Sequence, residues 1–186
     1  CFRSIIKKPK MYIARKLRKS HVTAYVLYMF QVEDVIRAYD MDLERLSKEY
    51  LPRFSFTPQQ TDEASEWYGS LIDMMREEGK QEKGHLQVVR NTILLLADRH
   101  EELMRDPKQA FYNAAYFKAL PCIVELRARG AAKELHEIEN ALEAVYGTTL
   151  LKMKGQTVSE ATQSGIKPIV HLLELLSTAF HEDDNL

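Results

Sequence analysis

The sequence predicts an all-α, single-domain bundle of six or seven helices around a central helix at about 107–129. Apolar residues recur at the three- and four-residue spacing of amphipathic helices. The seven glycines and six prolines fall mostly where these apolar stretches begin or end. The stretch from Ala110 to Leu126 is apolar at almost every position, and a helix that is apolar all round is surrounded by other elements.

Capping signals divide the chain into helices. The clearest is Thr57-Pro58-Gln59-Gln60, a capping box with proline at the first helical position. Ser20 and Ser159 occupy similar positions before the first and last apolar stripes. The predicted helices span about 21–39, 42–50, 57–79, 84–104, 107–129, 132–153 and 159–180. A basic lead-in at 12–19 precedes them, and no stretch has the pattern of a strand.

The central helix is predicted to begin with Asp106 as its cap and Pro107 in its first turn. Pro121 removes one backbone hydrogen bond, which predicts a kink. Because polar residues form no continuous face, we expect this helix to be covered on all sides. The residues expected to be among its least accessible are Asn113, Phe117, Leu120 and Val124.

Composition limits the class of protein. With 186 residues, 45% of them apolar, the chain is long enough for one core. No apolar run is long enough to span a bilayer. The two cysteines suggest no disulfide framework, so we expect a cytoplasmic protein. Phosphate loops, dinucleotide fingerprints, paired C-x-x-C and serine-hydrolase elbows are all missing from the sequence.

Basic residues are concentrated at the N-terminus. Residues 1–32 hold eight of the 26 lysines and arginines and none of the 27 acidic residues. Such an arm is compatible with binding to nucleic acid or an anionic surface. We keep this as an alternative and disfavour it, since the rest of the chain is acidic and carries no nucleic-acid motif.

Five polar residues are predicted to form a candidate pocket, with three of them, Glu33, Arg37 and His85, at its centre. Glu33 falls within an apolar stripe, and Arg37 lies one helical turn further on, where the two side chains meet. We expect either a structural Glu33–Arg37 ion pair or, with His85, a small-molecule pocket. Asn113 and Glu125, polar residues of the central helix, complete the candidate pocket.

We expect neither a metal nor another cofactor. Glu82 and His85 have the E-x-x-H spacing that helical-bundle metal proteins use, but those proteins carry the pair twice. The alternative interpretation is that both side chains satisfy a helix N-terminus.

Five stretches carry a resemblance to a known family: MYIARKLRK, YMFQVEDVIRAY, EWYGSLIDMMREEGKQEKGHL, NAAYFKALPCIVELRA and EIENALEAVYGTTLLKMKG. They resemble an uncharacterised all-helical bacterial family, a domain of unknown function, from Met11 to about His181. The resemblance implies a compact, cytoplasmic, single-domain helical protein over 11–186 and brings no assigned activity. Residues 1–10 fall outside it, and we expect them to be an added or upstream segment, or the start of a processed lipoprotein.

The sequence favours a non-catalytic interaction or oligomerisation module over an enzyme. Leu27 and Phe30 lie away from the main stripe of their helix and need a second neighbour. That neighbour is either the basic lead-in or the C-terminal helix of the same chain, or a partner, in which case Leu27 and Phe30 are the candidate interface residues. The partner would be a second copy in a homodimer or an unidentified protein. The alternative function is that of a small-molecule- or metal-binding enzyme with its site around Glu33, Arg37 and His85.

Overall fold

The computed structural model describes residues 10–129 and 135–183. Within these residues the chain forms eight α-helices, one short 3-10 turn at Leu51–Arg53 and no strand, so the predicted all-α single-domain class is confirmed. The helices are α1 (Lys10–Ser20), α2 (Val22–Ala38), α3 (Leu43–Glu49), α4 (Pro58–Glu77), α5 (Gln87–Arg105), α6 (Ala110–Arg129), α7 (Glu137–Met153) and α8 (Glu160–Asp183).

The helix beyond the predicted seven is α1, which is formed by the basic lead-in. Ser20 is the last residue of α1 and donates its hydroxyl to the Lys16 carbonyl, so it does not cap α2. Ile13 and Ala14 are buried, whereas Arg15, Lys16, Arg18 and Lys19 are exposed. The other basic residues of the arm before Lys10 lie outside the described residues.

Other helix starts follow the predicted capping chemistry. The Thr57 hydroxyl accepts from the Gln60 amide, and the Gln60 side chain accepts from the Thr57 amide, which completes the capping box of α4. The Ser159 hydroxyl accepts from the Thr162 amide at the start of α8. These bonds satisfy amides that have no partner within their own helix.

The predicted start of α6 is wrong by three residues. The Asp106 carboxylate accepts from the Lys108 amide, 2.9 Å away, and forms a tight turn there. The helix therefore begins at Ala110. The predicted start of α7 at about 132 is also early, because His136 caps a helix that begins at Glu137.

The backbone groups into two compact units. The first contains α1, α3, α4, residues 28–38 of α2 and the first turn of α5. Its core includes Phe30, Ile36, Leu46, Tyr68, Ile72, Met75 and Leu86. In this unit α4 packs against α1 and α3.

The second unit contains residues 21–27, α5 from Asn91 onward, α6, α7 and α8. Helix α6 packs chiefly against α8 and also against α7. Gly165 of α8 lies next to Cys122 of α6, and a Cβ placed on it would be in ordinary van der Waals contact with the Cys122 sulfur at 3.5 Å. The inward residues of α6 are Tyr112, Ala115, Ala119 and Ile123.

The expected burial of α6 on all sides is wrong. Phe117 is 62% exposed and Val124 53% exposed, while Asn113 and Leu120 are half-buried. The apolar residues occupy both sides of the helix, but the described neighbours cover only one side. Composition alone therefore indicated that α6 needs neighbours without indicating where they are.

The two faces of α6 predict different costs of truncation. Ile123→Ala removes a fully buried side chain and is expected to lower the free energy of unfolding by about 2–5 kcal/mol. Phe117→Ala on the exposed face is expected to change it by no more than about 0.5 kcal/mol. Urea unfolding of dilute protein measures both values, and a loss for Phe117→Ala as large as that for Ile123→Ala would contradict this assignment.

Candidate functional site

Glu33 and His85 meet inside the first unit. One Glu33 carboxylate oxygen lies 2.6 Å from Nδ1 of His85, and the other accepts from the Leu86 amide at 2.9 Å. The Glu33 side chain is fully buried, and the His85 ring stacks on Phe30 with ring centres 3.8 Å apart. Both oxygens of this carboxylate therefore have donors within the chain, as a buried carboxylate requires.

The same carboxylate caps a helix from another part of the chain. Leu86 directly precedes α5, and the Gln87 amide donates to the Glu78 carboxylate at 2.6 Å. Glu33 and Glu78 thus satisfy two amides at the start of α5, and negative charge is favourable there. The alternative prediction that Glu82 and His85 satisfy this helix end is replaced by these two carboxylates.

Arg37 was predicted to pair with Glu33, but it has other partners. Its guanidinium forms an ion pair with Asp34 at 3.0 Å and donates to the backbone carbonyls of Lys80 and Gly84. The expected Glu33–Arg37 pair is therefore replaced by two neighbouring contacts. Arg37 fixes the loop that carries His85, and Glu33 holds His85 itself.

The remaining candidate polar residues, Asn113 and Glu125, belong to the second unit. Asn113 is half-buried, and its Oδ1 has no hydrogen-bond partner within the described part of the chain. Glu125 is exposed on α6. Among residues 10–129 and 135–183, no group of three or more His, Cys, Asp or Glu side chains is arranged to hold a metal ion. Glu82 is exposed.

A second polar cluster surrounds His100 in the second unit. The His100 Nδ1 lies 2.6 Å from the Tyr112 hydroxyl, and the ring lies near those of Tyr116 and His136, with centres 4.9 and 6.0 Å away. The Tyr116 hydroxyl donates to the Glu137 carboxylate. His100, Tyr116, His136 and Glu137 border an open cleft of about 450 Å³.

Burial sets the charge state of this cluster. His100 is 4% exposed, and burial together with the nearby His136 lowers its pKa to about 4. Burial and the bond to Glu137 raise the pKa of Tyr116 to about 12. His100 and Tyr116 are therefore neutral at pH 7. The polar groups of this cluster join α5, α6 and the start of α7 through hydrogen bonds and ring contacts.

The most exposed apolar surface of the second unit lies on α6. We define the outer face of α6 as Phe111, Ala114, Phe117, Pro121, Val124 and Ala128, all of which are exposed. Phe111 is 92% exposed, and the charged residues Lys118 and Glu125 lie on the same side of the helix. Exposed apolar residues are ordinary when scattered, but a row of them along one helix marks an interaction surface.

The chain matches the family DUF4924, a domain of unknown function, over residues 11–185. The chain belongs to the DUF4924 family. No curated protein and no solved structure matches it. The family membership confirms the predicted resemblance to a domain-of-unknown-function family, and it assigns no reaction or ligand to the residues described above.

In this DUF4924 domain, the candidate interface residue Phe30 is not accessible to a partner. Phe30 is fully buried beneath His85, so it has its second neighbour within its own unit. Leu27 is half-buried. Among the described residues, no helix is both long and apolar enough to cross a membrane.

Replacement of Glu33 tests the cap at α5. Glu33→Ala leaves the Leu86 amide and the His85 Nδ1 without their acceptor and is expected to lower the free energy of unfolding by about 3 kcal/mol. Glu33→Gln retains one carbonyl acceptor and is expected to cost less. Glu82→Ala, an exposed control in the adjacent loop, is expected to change stability by no more than about 0.5 kcal/mol. Equal stabilities of the Glu33→Ala and Glu82→Ala proteins in urea unfolding would refute the cap.

His100 predicts a pH dependence of stability. Its pKa rises from about 4 in the folded chain to about 6.5 on unfolding, so between these pH values the unfolded chain binds more protons. Stability is therefore expected to fall by about 2–3 kcal/mol between pH 7 and pH 4.5 on account of this residue.

The measurement is urea unfolding of the wild-type and His100→Gln proteins at both pH values. The variant is expected to lose correspondingly less stability on acidification. His171→Gln replaces an exposed histidine and serves as the control. A wild-type pH dependence retained in full by His100→Gln would remove His100 as its source.

Proposed function

We propose that this chain is a non-catalytic protein-interaction or oligomerisation module whose binding surface is the outer face of α6. The observation that carries the proposal is the exposure of a row of apolar residues, Phe111, Phe117, Pro121 and Val124, along one side of a helix. The opposite side of the same helix is buried against α7 and α8.

The composition of this surface supports the proposal. Aromatic side chains are enriched in protein interfaces, and a few of them contribute most of the binding energy. Phe117 lies in the middle of the row, with apolar residues on both sides along the helix. A partner that covered the row would remove large apolar side chains from water, which is favourable in proportion to the area buried.

The two polar clusters support a structural role for their residues. Both Glu33 oxygens already accept hydrogen bonds within the chain, so proton transfer to an outside molecule would require breaking the cap of α5. His100 is buried, and its Nδ1 is hydrogen-bonded to the Tyr112 hydroxyl. These bonds fix helices in place, and the proposal assigns binding to the exposed helix face.

The proposal includes a cytoplasmic location. Cys122 is a free, half-buried thiol beside Gly165. Free thiols of this kind are typical of reducing compartments.

Phe117→Asp tests the interaction surface. A charge in the middle of the row is expected to weaken association at least thirtyfold, as expected for loss of an interface hot spot. The matched control is Leu94→Asp, which places the same charge at an exposed leucine of α5 in the same unit.

Association is measured with the purified proteins by sedimentation and with immobilised proteins in an extract of the native cell. Both variants are first checked for an unchanged thermal midpoint. The proposal fails if the wild-type chain is monomeric at high concentration and the wild-type, Phe117→Asp and Leu94→Asp proteins retain the same set of proteins from the extract.

A further inference from the structure

On the basis of the function proposed above, we infer that the partner of the outer face of α6 is a second copy of this chain, paired antiparallel through a two-fold axis near residues 122 and 123. Three features of this face favour such a pair: the spacing of its apolar residues, the positions of Lys118 and Glu125, and the sizes of the apolar side chains.

The apolar residues have the spacing of a helix-pairing seam. Ala114, Phe117, Pro121, Val124 and Ala128 are separated by three, four, three and four residues. This alternation is the a/d pattern of a coiled coil, and it keeps one stripe facing a partner helix. All five are exposed, so the seam is complete within α6 and extends over about 20 Å of helix at 1.5 Å per residue.

The two charges select an orientation. Lys118 and Glu125 are one heptad apart, and each directly follows a seam residue, so both occupy the same flanking position. In a parallel, in-register pair the residues at this flanking position lie on opposite sides of the seam in the two copies, so Lys118 and Glu125 do not meet and contribute no attraction. In an antiparallel pair, flanking residues of this type face each other across the seam. Lys118 of one copy can then meet Glu125 of the other, and two-fold symmetry forms this pair twice.

The same charges select one register among the antiparallel ones. With Phe117 packed on Ala128 of the second copy, Pro121 packs on Val124 and the two Lys118–Glu125 pairs form. If one helix is shifted by one heptad along the other, the register changes. A shift in one direction places Lys118 opposite Lys118 of the second copy, and a shift in the other direction places Glu125 opposite Glu125 of the second copy. Like charges across an interface are unfavourable, so both slips are opposed.

Side-chain sizes agree with this register. The largest seam residue, Phe117, meets one of the smallest, Ala128, and the medium-sized Pro121 and Val124 meet each other. A large residue opposite a small one permits close packing of two helices. A surface with this internal complementarity can be covered by a copy of itself through an isologous interface.

Charge exchange tests the pairing and its register. Lys118→Glu and Glu125→Lys each place two like-charge contacts in the interface, and each is expected to weaken dimerisation on the order of tenfold at low salt. The double variant Lys118→Glu/Glu125→Lys restores opposite charges and is expected to return the dissociation constant to within about threefold of wild type. Sedimentation equilibrium at low and high salt measures these constants. Failure of the double variant to recover would overturn the register.

Disulfide trapping tests the orientation independently. In a Cys1→Ser/Cys122→Ser background, a mixture of the Phe117→Cys and Ala128→Cys chains is expected to form a cross-linked heterodimer. Neither chain alone is expected to cross-link efficiently, since residue 117 is far from its own copy in the antiparallel pair. Efficient cross-linking of Phe117→Cys with itself would instead show a parallel pair and overturn the inference.

The outcomes separate this inference from the function on which it rests. If the purified chain stays monomeric while Phe117→Asp, unlike Leu94→Asp, loses capture of a different protein, the second copy is overturned as the partner and the interaction surface remains. If Phe117→Asp and Leu94→Asp are indistinguishable in every assay, both the surface and the inference fail.

Discussion

Helix α6 is apolar on two opposite sides. Exposing either apolar side to water costs free energy, so both sides are stabilised by contact with other elements. The inner side, with Tyr112, Ala119 and Ile123, provides the surface on which α7 and α8 pack. The outer side has the same apolar character and no cover among the described residues. The arrangement of the second unit and the proposed interaction therefore follow from one constraint, which is that an apolar helix needs neighbours on both sides.

The buried polar groups solve a different problem. Glu33 and His100 lie on helices whose other inward residues are mostly apolar, and burying either side chain would be costly without hydrogen bonds. Glu33 is paired as a carboxylate with two donors, while His100 remains neutral and bonds to a phenol. Such fully satisfied pairs hold helices in one arrangement, because a shifted helix would leave a buried donor or acceptor unpaired.

The parts of the fold that depend on neighbouring residues could be predicted from the sequence. The capping box at Thr57, the cap at Ser159 and the all-α class each follow from interactions within a few residues. The inward position of Glu33 was also visible, since a helical stripe identifies a residue on its apolar side.

The hydrogen-bond partners of buried polar residues, and the side of each helix that other helices cover, could not be predicted in the same way. Glu33 and His85 are 52 residues apart, and nothing in the local pattern links them. The nearer residue Arg37 was therefore the expected partner. Phe117 was expected to be buried because its helix is apolar all round. The composition of a helix, however, does not show how many other helices pack around it. The His100 cluster joins three helices. The only sequence signal for it is that His100 lies on the apolar stripe of its helix, which indicates a buried histidine but not its partners.

The bond between Glu33 and the Leu86 amide also sets how the start of α5 can open. The first amides of most helices exchange with solvent when the helix end frays, at little free-energy cost. Here the acceptor is the fully buried Glu33 carboxylate of α2. Exchange of the Leu86 amide hydrogen therefore requires α2 to move away from the start of α5. Deuterium uptake at this amide should therefore follow the opening of the first unit as a whole, although the residue lies at a helix end.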